Sequence, residues 1–381
     1  MKKPKTNTKK LSRRKFLKAG AATAAGAAGA ATLGFPMVSR AQTVTLKMQG
    51  AWGAKDVFND MAVQYVDRVN EMSGGRLKIR YLPSGAVVKA FRVQDAVHKG
   101  VLDAGHGVTV YWYGKSKVAS LFGTGPVFGQ DAHLGLAWIY NGGGLQLYNE
   151  LIDKLGINTV GFFAMPMPTQ PLGWFRKPIR TAQDMVGLKY RTVGLAADLM
   201  QEMGLKVTQL PGGEIVPALE RGVIEAFEFN NPTSDKSFGA QDVSKTYMMG
   251  SYHQAAEFFE IIFNKTKYNA LPAEHKAILR YAAEAANSAN FFLAMDRYSR
   301  DLQWLIKKAG VKVYRTPQSI MNKQLEAWDV MIERMENEDP FFKKVLASQK
   351  NFAHRSAFYI LLNQCDYKLA YDHYWPGELG F

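Results

Sequence analysis

Alternating and helical stretches follow one another through most of the chain. Val44, Leu46 and Met48 alternate with Thr45, Lys47 and Gln49, which predicts a strand with one polar face. Val57, Met61, Tyr65, Val66 and Val69 then recur at spacings near three and four within residues 55–72, predicting a helix that Ser73-Gly74-Gly75 stops. Leu77, Ile79 and Tyr81 form a second strand closed by Pro83-Ser84-Gly85, and residues 91–101 read as another short helix. Strand, helix, strand, helix at such spacing predicts a mainly parallel sheet with helices on its faces. A second set follows, with strands over 158–163, 173–177 and 189–193, a helix over 195–203, a strand over 207–210, a helix over 213–221 and a strand over 223–229. The apolar segment from Tyr252 to Asn264 can return the chain to the first set. Beyond Leu271-Pro272 long amphipathic helices take over, 273–309 and 320–371, with a short strand over 311–314 between them. The expectation is an α/β fold of two lobes built from separated pieces of chain. Residues 42–165 form lobe I, 166–249 form lobe II, parts of 250–320 belong to each, and 320–381 form a helical C-terminal region.

Charge changes the picture at one end. The chain of 381 residues has 48 basic and 33 acidic side chains, a formal charge of +15. Ten of the basic residues, and no acidic one, fall within residues 1–41; removing them leaves 38 against 33, or +5. An excess packed into one terminal segment is a poor footprint for nucleic acid, which needs Lys and Arg spread over one surface. That segment reads instead as an export signal. A basic region precedes an Ala- and Gly-rich apolar stretch from Ala19 to Phe35, and Ser39-Arg40-Ala41 offers small residues for cleavage near Ala41. Ser12-Arg13-Arg14-Lys15-Phe16-Leu17-Lys18 is similar to the twin-arginine signal, which places the expected protein in the bacterial periplasm. The alternative, a membrane anchor, meets four glycines in a weakly apolar stretch. A single cysteine, Cys365, excludes an intrachain disulfide and a multi-Cys zinc site, and its apolar surroundings read as core.

Catalytic signatures are thin. No Gly-x-Ser-x-Gly elbow, His-Glu-x-x-His pair or Walker-type loop occurs, and Gly123-Thr124-Gly125 lacks the third glycine of a dinucleotide fingerprint. The seven histidines have no ligand spacing. What the chain offers is polar residues among aromatic ones. Arg191, at a strand end after Tyr190, suits a carboxylate, or equally a structural salt bridge. Gln170 lies in a Pro-flanked loop just before a strand, where its amide oxygen is either a cation ligand or an ordinary loop group. Glu228 ends the apolar run Ala226-Phe227-Glu228-Phe229, and Glu260 follows Phe258-Phe259. Carboxylates in such settings need a compensating partner. Two of them with an amide oxygen form a donor set suited to sodium or calcium rather than zinc.

Three stretches carry a family resemblance: Gly173-Trp174-Phe175-Arg176-Lys177-Pro178, Leu188-Lys189-Tyr190-Arg191, and Leu210-Pro211-Gly212-Gly213-Glu214-Ile215-Val216-Pro217-Ala218-Leu219-Glu220-Arg221-Gly222-Val223-Ile224-Glu225-Ala226. With these the chain, over nearly all of 43–365, resembles the periplasmic solute-binding subunits of TRAP transporters, the DctP-like family. The similarity is to the branch that binds 2-oxo or 2-hydroxy monocarboxylates together with a cation. The resemblance implies a periplasmic binding protein fold whose two lobes close on ligand. It implies that Arg191 pairs with the substrate carboxylate, that Gln170, Glu228 and Glu260 ligate sodium or calcium, and that the Phe229 carbonyl completes the set. It also places Tyr111 and Trp112 near the cleft and lets Asn231 touch substrate. Phe229 stands where the branch usually has Trp, and Ala256-Glu257-Phe258-Phe259-Glu260 replaces a Pro-Gly-aromatic-aromatic-Glu segment.

The implied function is capture of a small organic acid anion, without chemistry, and delivery to the membrane subunits of the transporter. A homodimer through the C-terminal helices is a further expectation, since some members of this branch pair that way. The competing readings are a metal-dependent periplasmic enzyme acting on an oxo acid, and a sensory binding protein. The first lacks a general base beside the proposed site, because Glu228 and Glu260 are already assigned as ligands.

Overall fold

The computed structural model describes residues 43–380, so the export segment expected over 1–41 lies outside the described residues. In chain order the strands are β1 (Val44–Gly50), β2 (Leu77–Leu82), β3 (Ala104–Gly107), β4 (Thr159–Met167), β5 (Gly173–Phe175) and β6 (Lys189–Arg191). They continue with β7 (Lys206–Thr208), β8 (Ala226–Phe227), β9 (Thr246–Met249), β10 (Glu257–Asn264) and β11 (Lys312–Arg315). They form a five-stranded sheet, β2-β1-β3-β10-β4, and a six-stranded sheet, β11-β9-β5-β8-β6-β7.

The helix Val57–Met72 joins β1 to β2 much as its periodicity predicts. Asp56 caps it by accepting from the Phe58 amide at 3.0 Å, and Tyr65, Val69 and Met61 bury its apolar stripe. Crossovers of this kind make β1 parallel to β2 and β3. The sheets are nevertheless mixed rather than mainly parallel. β10 runs antiparallel to both β3 and β4, and β5 antiparallel to β8 and β9, because these strands arrive directly from the other sheet instead of through a crossover helix.

Two passages of chain run between the sheets, 168–172 from β4 to β5 and 250–256 from β9 to β10. They lie side by side: the Gln170 amide donates to the Gln254 carbonyl at 3.1 Å and Thr169 Oγ1 to the Ala255 carbonyl at 2.8 Å. A 35-residue helix, Ala273–Lys307, packs on β4 and Val57–Met72 and also on the helix Pro232–Ser237 beside the second sheet. The chain thus returns first to one sheet with β10 and then to the other with β11, and this fold is the two-lobed α/β arrangement expected.

Helices Ala132–Asn141 and Gly144–Lys154, unread in the sequence, fill the stretch between β3 and β4. The single helix expected over 320–371 is three: Gln318–Glu338, Pro340–Asn363 and Tyr367–Tyr374. Pro340 has no amide to continue the first of them, and the extended Asp339 caps the second by accepting from the Phe341 amide at 2.8 Å. Cys365 falls in the last break and is exposed, not core as its apolar neighbours suggest.

Candidate functional site

All eight residues of β10 are buried, including Glu257 and Glu260, because the strand is central in its sheet. Burying a carboxylate without a partner is costly, so each buried acid marks a built environment. Glu257 and a second buried acid, Glu228, lie where the two passages meet the second sheet.

On the second sheet, β6 and β8 are parallel neighbours with Arg191 opposite Phe227, so Arg191 and Glu228 emerge together at the carboxyl ends of adjacent strands. Ligand sites of open α/β sheets form at such ends. Arg191 Nε donates to the Leu210 carbonyl at 2.8 Å. Its Nη1 donates to the Glu228 carbonyl at 2.7 Å and to Glu228 Oε1 at 3.0 Å. Both side chains are fully buried. The guanidinium is thereby fixed by protein groups through Nε and Nη1, and the Phe229 ring lies 5.6 Å from its centre.

The interlobe passages bring in amides. Gln170 Nε2 donates to Glu257 Oε2 at 2.7 Å and to Gln254 Oε1 at 3.1 Å, and Asn230 Nδ2 also donates to Glu257 Oε2. Asp235 backs this corner. It accepts from Trp174 Nε1 and the Tyr247 hydroxyl, each at 2.8 Å, and from the Asn230 amide. Trp52, Phe58, Tyr111 and Phe259 close the opposite wall, leaving a cavity of about 10 Å³ between them and Arg191. That is room for one water-sized particle.

Two oxygens are buried with no hydrogen-bond partner among the described residues: Gln170 Oε1, whose residue lines the pocket, and Glu228 Oε2, on the carboxylate paired with Arg191. Native structures rarely leave such atoms orphaned unless something else satisfies them. Burial drives the Glu228 carboxyl up to about 7, with Arg191 opposing the rise. Burial likewise raises Glu257 to about 8, against the pull of the Gln170 amide. Glu257 accepts from the Gln170 and Asn230 amides and makes no ion pair among the described residues, whereas Glu228 is paired with Arg191. A cation here would find two carboxylates, amide and carbonyl oxygens and no sulfur or imidazole, which is the chemistry of a hard ion such as sodium or calcium.

The sequence-predicted residues divide. Gln170, Arg191, Glu228, Phe229 and Tyr111 come together. Glu260 does not: it accepts from the Tyr148 hydroxyl at 2.9 Å and sits in a separate small cavity with Trp112, Gln94 and Lys115. Side chains along a strand alternate between faces, so Glu257 and Phe259 face the Arg191 cluster while Phe258 and Glu260 face away. The bulge opposite Phe258 and Phe259 inserts its extra residue, Met165, into β4 and leaves the alternation of β10 intact. Glu257 is thus the carboxylate brought to the cluster in place of Glu260. Trp112 faces away with Glu260. Asn231 is occupied as a helix cap, its Oδ1 accepting from the Thr233 and Ser234 amides at 3.0 and 2.9 Å. Asn230, not Asn231, points to the cluster.

Two buried carboxylates, a buried guanidinium and aligned amides, gathered where two strand passages cross between sheets, define a two-lobed solute-binding protein. The chain belongs to bacterial extracellular solute-binding protein family 7, DctP, whose profile matches residues 48–339. A monocarboxylate 2-oxoacid-binding periplasmic protein of Nostoc is 31% identical over 301 residues, 79% of this chain and 82% of the relative. A TRAP transporter solute-binding protein of Bordetella bronchiseptica, solved as a mixed-occupancy dimer with calcium and picolinate in one active site, superposes with a TM-score of 0.81. It is 28% identical and covers 87% of this chain and 97% of its own. A TRAP periplasmic solute-binding protein of Pseudoalteromonas atlantica with bound sodium and pyruvate gives 0.80 at 29% identity, covering 87% and 98%. Among the described residues no helix is long and apolar enough to cross a membrane.

Proposed function

We propose that this protein is the periplasmic receptor of a TRAP transporter, and that it captures a 2-oxo or 2-hydroxy monocarboxylate together with sodium or calcium. Gln170, Glu228, Glu257 and the Phe229 carbonyl would hold the cation, which when bound supplies positive charge against the acid's carboxylate and 2-oxygen. The observation that carries this reading is the pair of orphaned buried oxygens, Gln170 Oε1 and Glu228 Oε2, beside the buried guanidinium of Arg191.

In this reading Arg191, held in place through Nε and Nη1, presents Nη2 to the acid's carboxylate. It makes one directed bond there rather than a two-pronged one, because Nη1 is already engaged by Glu228. Tyr111, Trp52 and Phe259 exclude water from the pair. Gln170 and Gln254 lie on the passages between sheets and Arg191 on the second sheet, so ligand contacts come from both sides of the cleft and favour the closed form. Family relatives support release to membrane subunits without chemical change. The basic segment of residues 1–41 supports twin-arginine export to the periplasm.

The test is a melting-temperature and calorimetric screen of small 2-oxo acids with calcium, with sodium and with EDTA. A ligand at about 100 times its Kd stabilises by about 2.7 kcal/mol, so acid and cation together should raise Tm where the acid with EDTA does not. A second copy is the partner proposed for the C-terminal helices. Phe358, Leu361 and Leu362, at one-turn spacing, and Leu369 and Tyr374 beyond them are exposed. Light scattering at micromolar concentration should give twice the chain mass, and Leu361→Asp with Leu362→Asp should restore the monomer.

A further inference from the structure

The second sheet carries a row of cations at the end away from the Arg191 site. β8, β6, β7, β9 and β11 all begin at that end, and the antiparallel β5 finishes there. Lys312 lies opposite Thr246, Thr246 opposite Phe175, Tyr190 opposite Ala226 and Lys189 opposite Lys206. Basic residues stand at these strand ends: Lys312 on β11, Lys245 just before β9, Arg176 and Lys177 just after β5, Lys189 on β6 and Lys206 on β7. At about 4.8 Å between neighbouring strands, the row spans roughly 24 Å. Arg191 and Glu228 leave the opposite ends of β6 and β8.

All six side chains are exposed, and none makes an ion pair among the described residues. Lys189 and Lys245 donate to the main-chain carbonyls of Gly222 and Ala309, at 3.2 and 3.0 Å. The Ala309 bond ties the row to the end of the long helix Ala273–Lys307, which leads into β11 and closes in Lys307 and Lys308. With those two lysines counted, the acids at this end, Asp184, Glu220, Glu225 and Asp242, are outnumbered. Trp304 and Ile306, in the last turn of the same helix, are exposed beside the lysines.

A straight row made mostly of lysines suits a diffuse anionic surface, whereas directed pairing with single carboxylates of a partner protein favours the arginine fork. A tryptophan ring next to lysines is also the combination that settles at a membrane–water boundary, the ring among headgroups and the ammonium groups in water. We infer that this end of the second lobe rests on an anionic phospholipid surface, with the lysine row over the headgroup phosphates and Trp304 at their level. The contact leaves the cleft free, because the site occupies the other ends of the strands. This inference rests on the receptor function proposed above, which sets the protein beside a membrane, and gives it lipid as a partner distinct from the transporter subunits. Each lysine or arginine near such a surface strengthens binding about fivefold, and salt screens the attraction.

The experiment is flotation with lipid vesicles. The body from Thr43 onward is a compact unit by itself, so the chain lacking residues 1–41 is used, whose own basic segment would otherwise bind lipid. Vesicles of phosphatidylcholine with about 30% phosphatidylglycerol should take up the protein at low salt, and pure phosphatidylcholine, or about 0.5 M NaCl, should reduce uptake tenfold or more. Lys177→Gln with Lys312→Gln should lower the partition coefficient by about 25-fold, the product of two lysines. Lys78→Gln with Lys99→Gln, two exposed lysines of the first lobe, removes the same charge and should stay within about twofold of the unaltered chain. Equal uptake by both vesicles, uptake indifferent to salt, or equal losses in the two lysine pairs overturns the inference. Binding of polyglutamate without binding of vesicles overturns it in favour of an acidic protein partner. Calorimetric titration of the Lys177 and Lys312 variant with pyruvate and calcium should match the unaltered chain. If no acid binds either chain, the receptor function fails, a result separate from the flotation outcome.

Discussion

Arg191 and Glu228 satisfy each other in a dry environment, so removing either leaves the other as an uncompensated charge. Arg191→Met should therefore cost roughly 3–5 kcal/mol in urea unfolding, and adding Glu228→Gln should recover a large part of it. Binding of pyruvate-like acids should be lost in both variants. Glu257 and Glu260 separate structure from function more sharply. Glu257→Gln should lower cation-dependent acid affinity by tenfold or more, whereas Glu260→Gln should leave it unchanged, as read by calorimetry. The Glu260 carboxyl is raised from 4.5 to about 8 by burial, with the Tyr148 hydroxyl opposing. Between those pH values the folded chain binds more protons at this residue than the unfolded chain. Its contribution is thus fully present below about 4.5, falls as pH rises, and is gone above about 8. Unfolding measured from pH 5 to 9 should show Glu260→Gln gaining on the wild type as pH increases.

At the scale of elements, strand alternation and chain crossing decide which polar residues meet. The stretch Ala256-Glu257-Phe258-Phe259-Glu260 shows two acids in aromatic company, and period two puts them on opposite faces of the sheet. The family resemblance selected Glu260, while β10 turns Glu257 toward Arg191, and only knowledge of which face meets the second sheet separates the two. Asn230 and Asn231 pose the same problem at a helix start, where one amide must cap and the other is free for the cluster. Gly173 opens β5 at φ +122, and a side-chain carbon there would stand 2.2 Å from the Phe227 carbonyl oxygen. Gly173→Ala should therefore force β5 off β8, the strand that places Glu228. We expect a loss of about 2 kcal/mol or more in unfolding free energy, with cation-dependent binding weakened in parallel. Restored binding at unchanged stability would contradict the link.

For the whole molecule, the contacts across the cleft set how much of the population is closed before ligand arrives. Asp198 accepts from the part-exposed Lys117 at 2.8 Å and from the Tyr113 hydroxyl at 2.7 Å, contacts worth about 1 kcal/mol each at most, so Asp198→Ala should weaken every ligand by up to about thirtyfold. The loss should be uniform across acids, with a larger radius of gyration in the ligand-free protein by small-angle scattering; a loss confined to one acid would instead place Asp198 in recognition. Periodicity and punctuation alone determined the repeated strand and helix sets, the helix stop at Ser73-Gly74-Gly75, and the presence of Arg191, Gln170 and Glu228 among aromatics. These are local properties, written in residues a few positions apart. Tertiary structure alone decided that β10 runs antiparallel between β3 and β4, and that Glu257 and Asn230 join the cluster while Glu260 and Trp112 do not. Each of those depends on which strands lie side by side after the chain has crossed between sheets twice, a relation among residues separated by up to about 160 positions that no local pattern encodes.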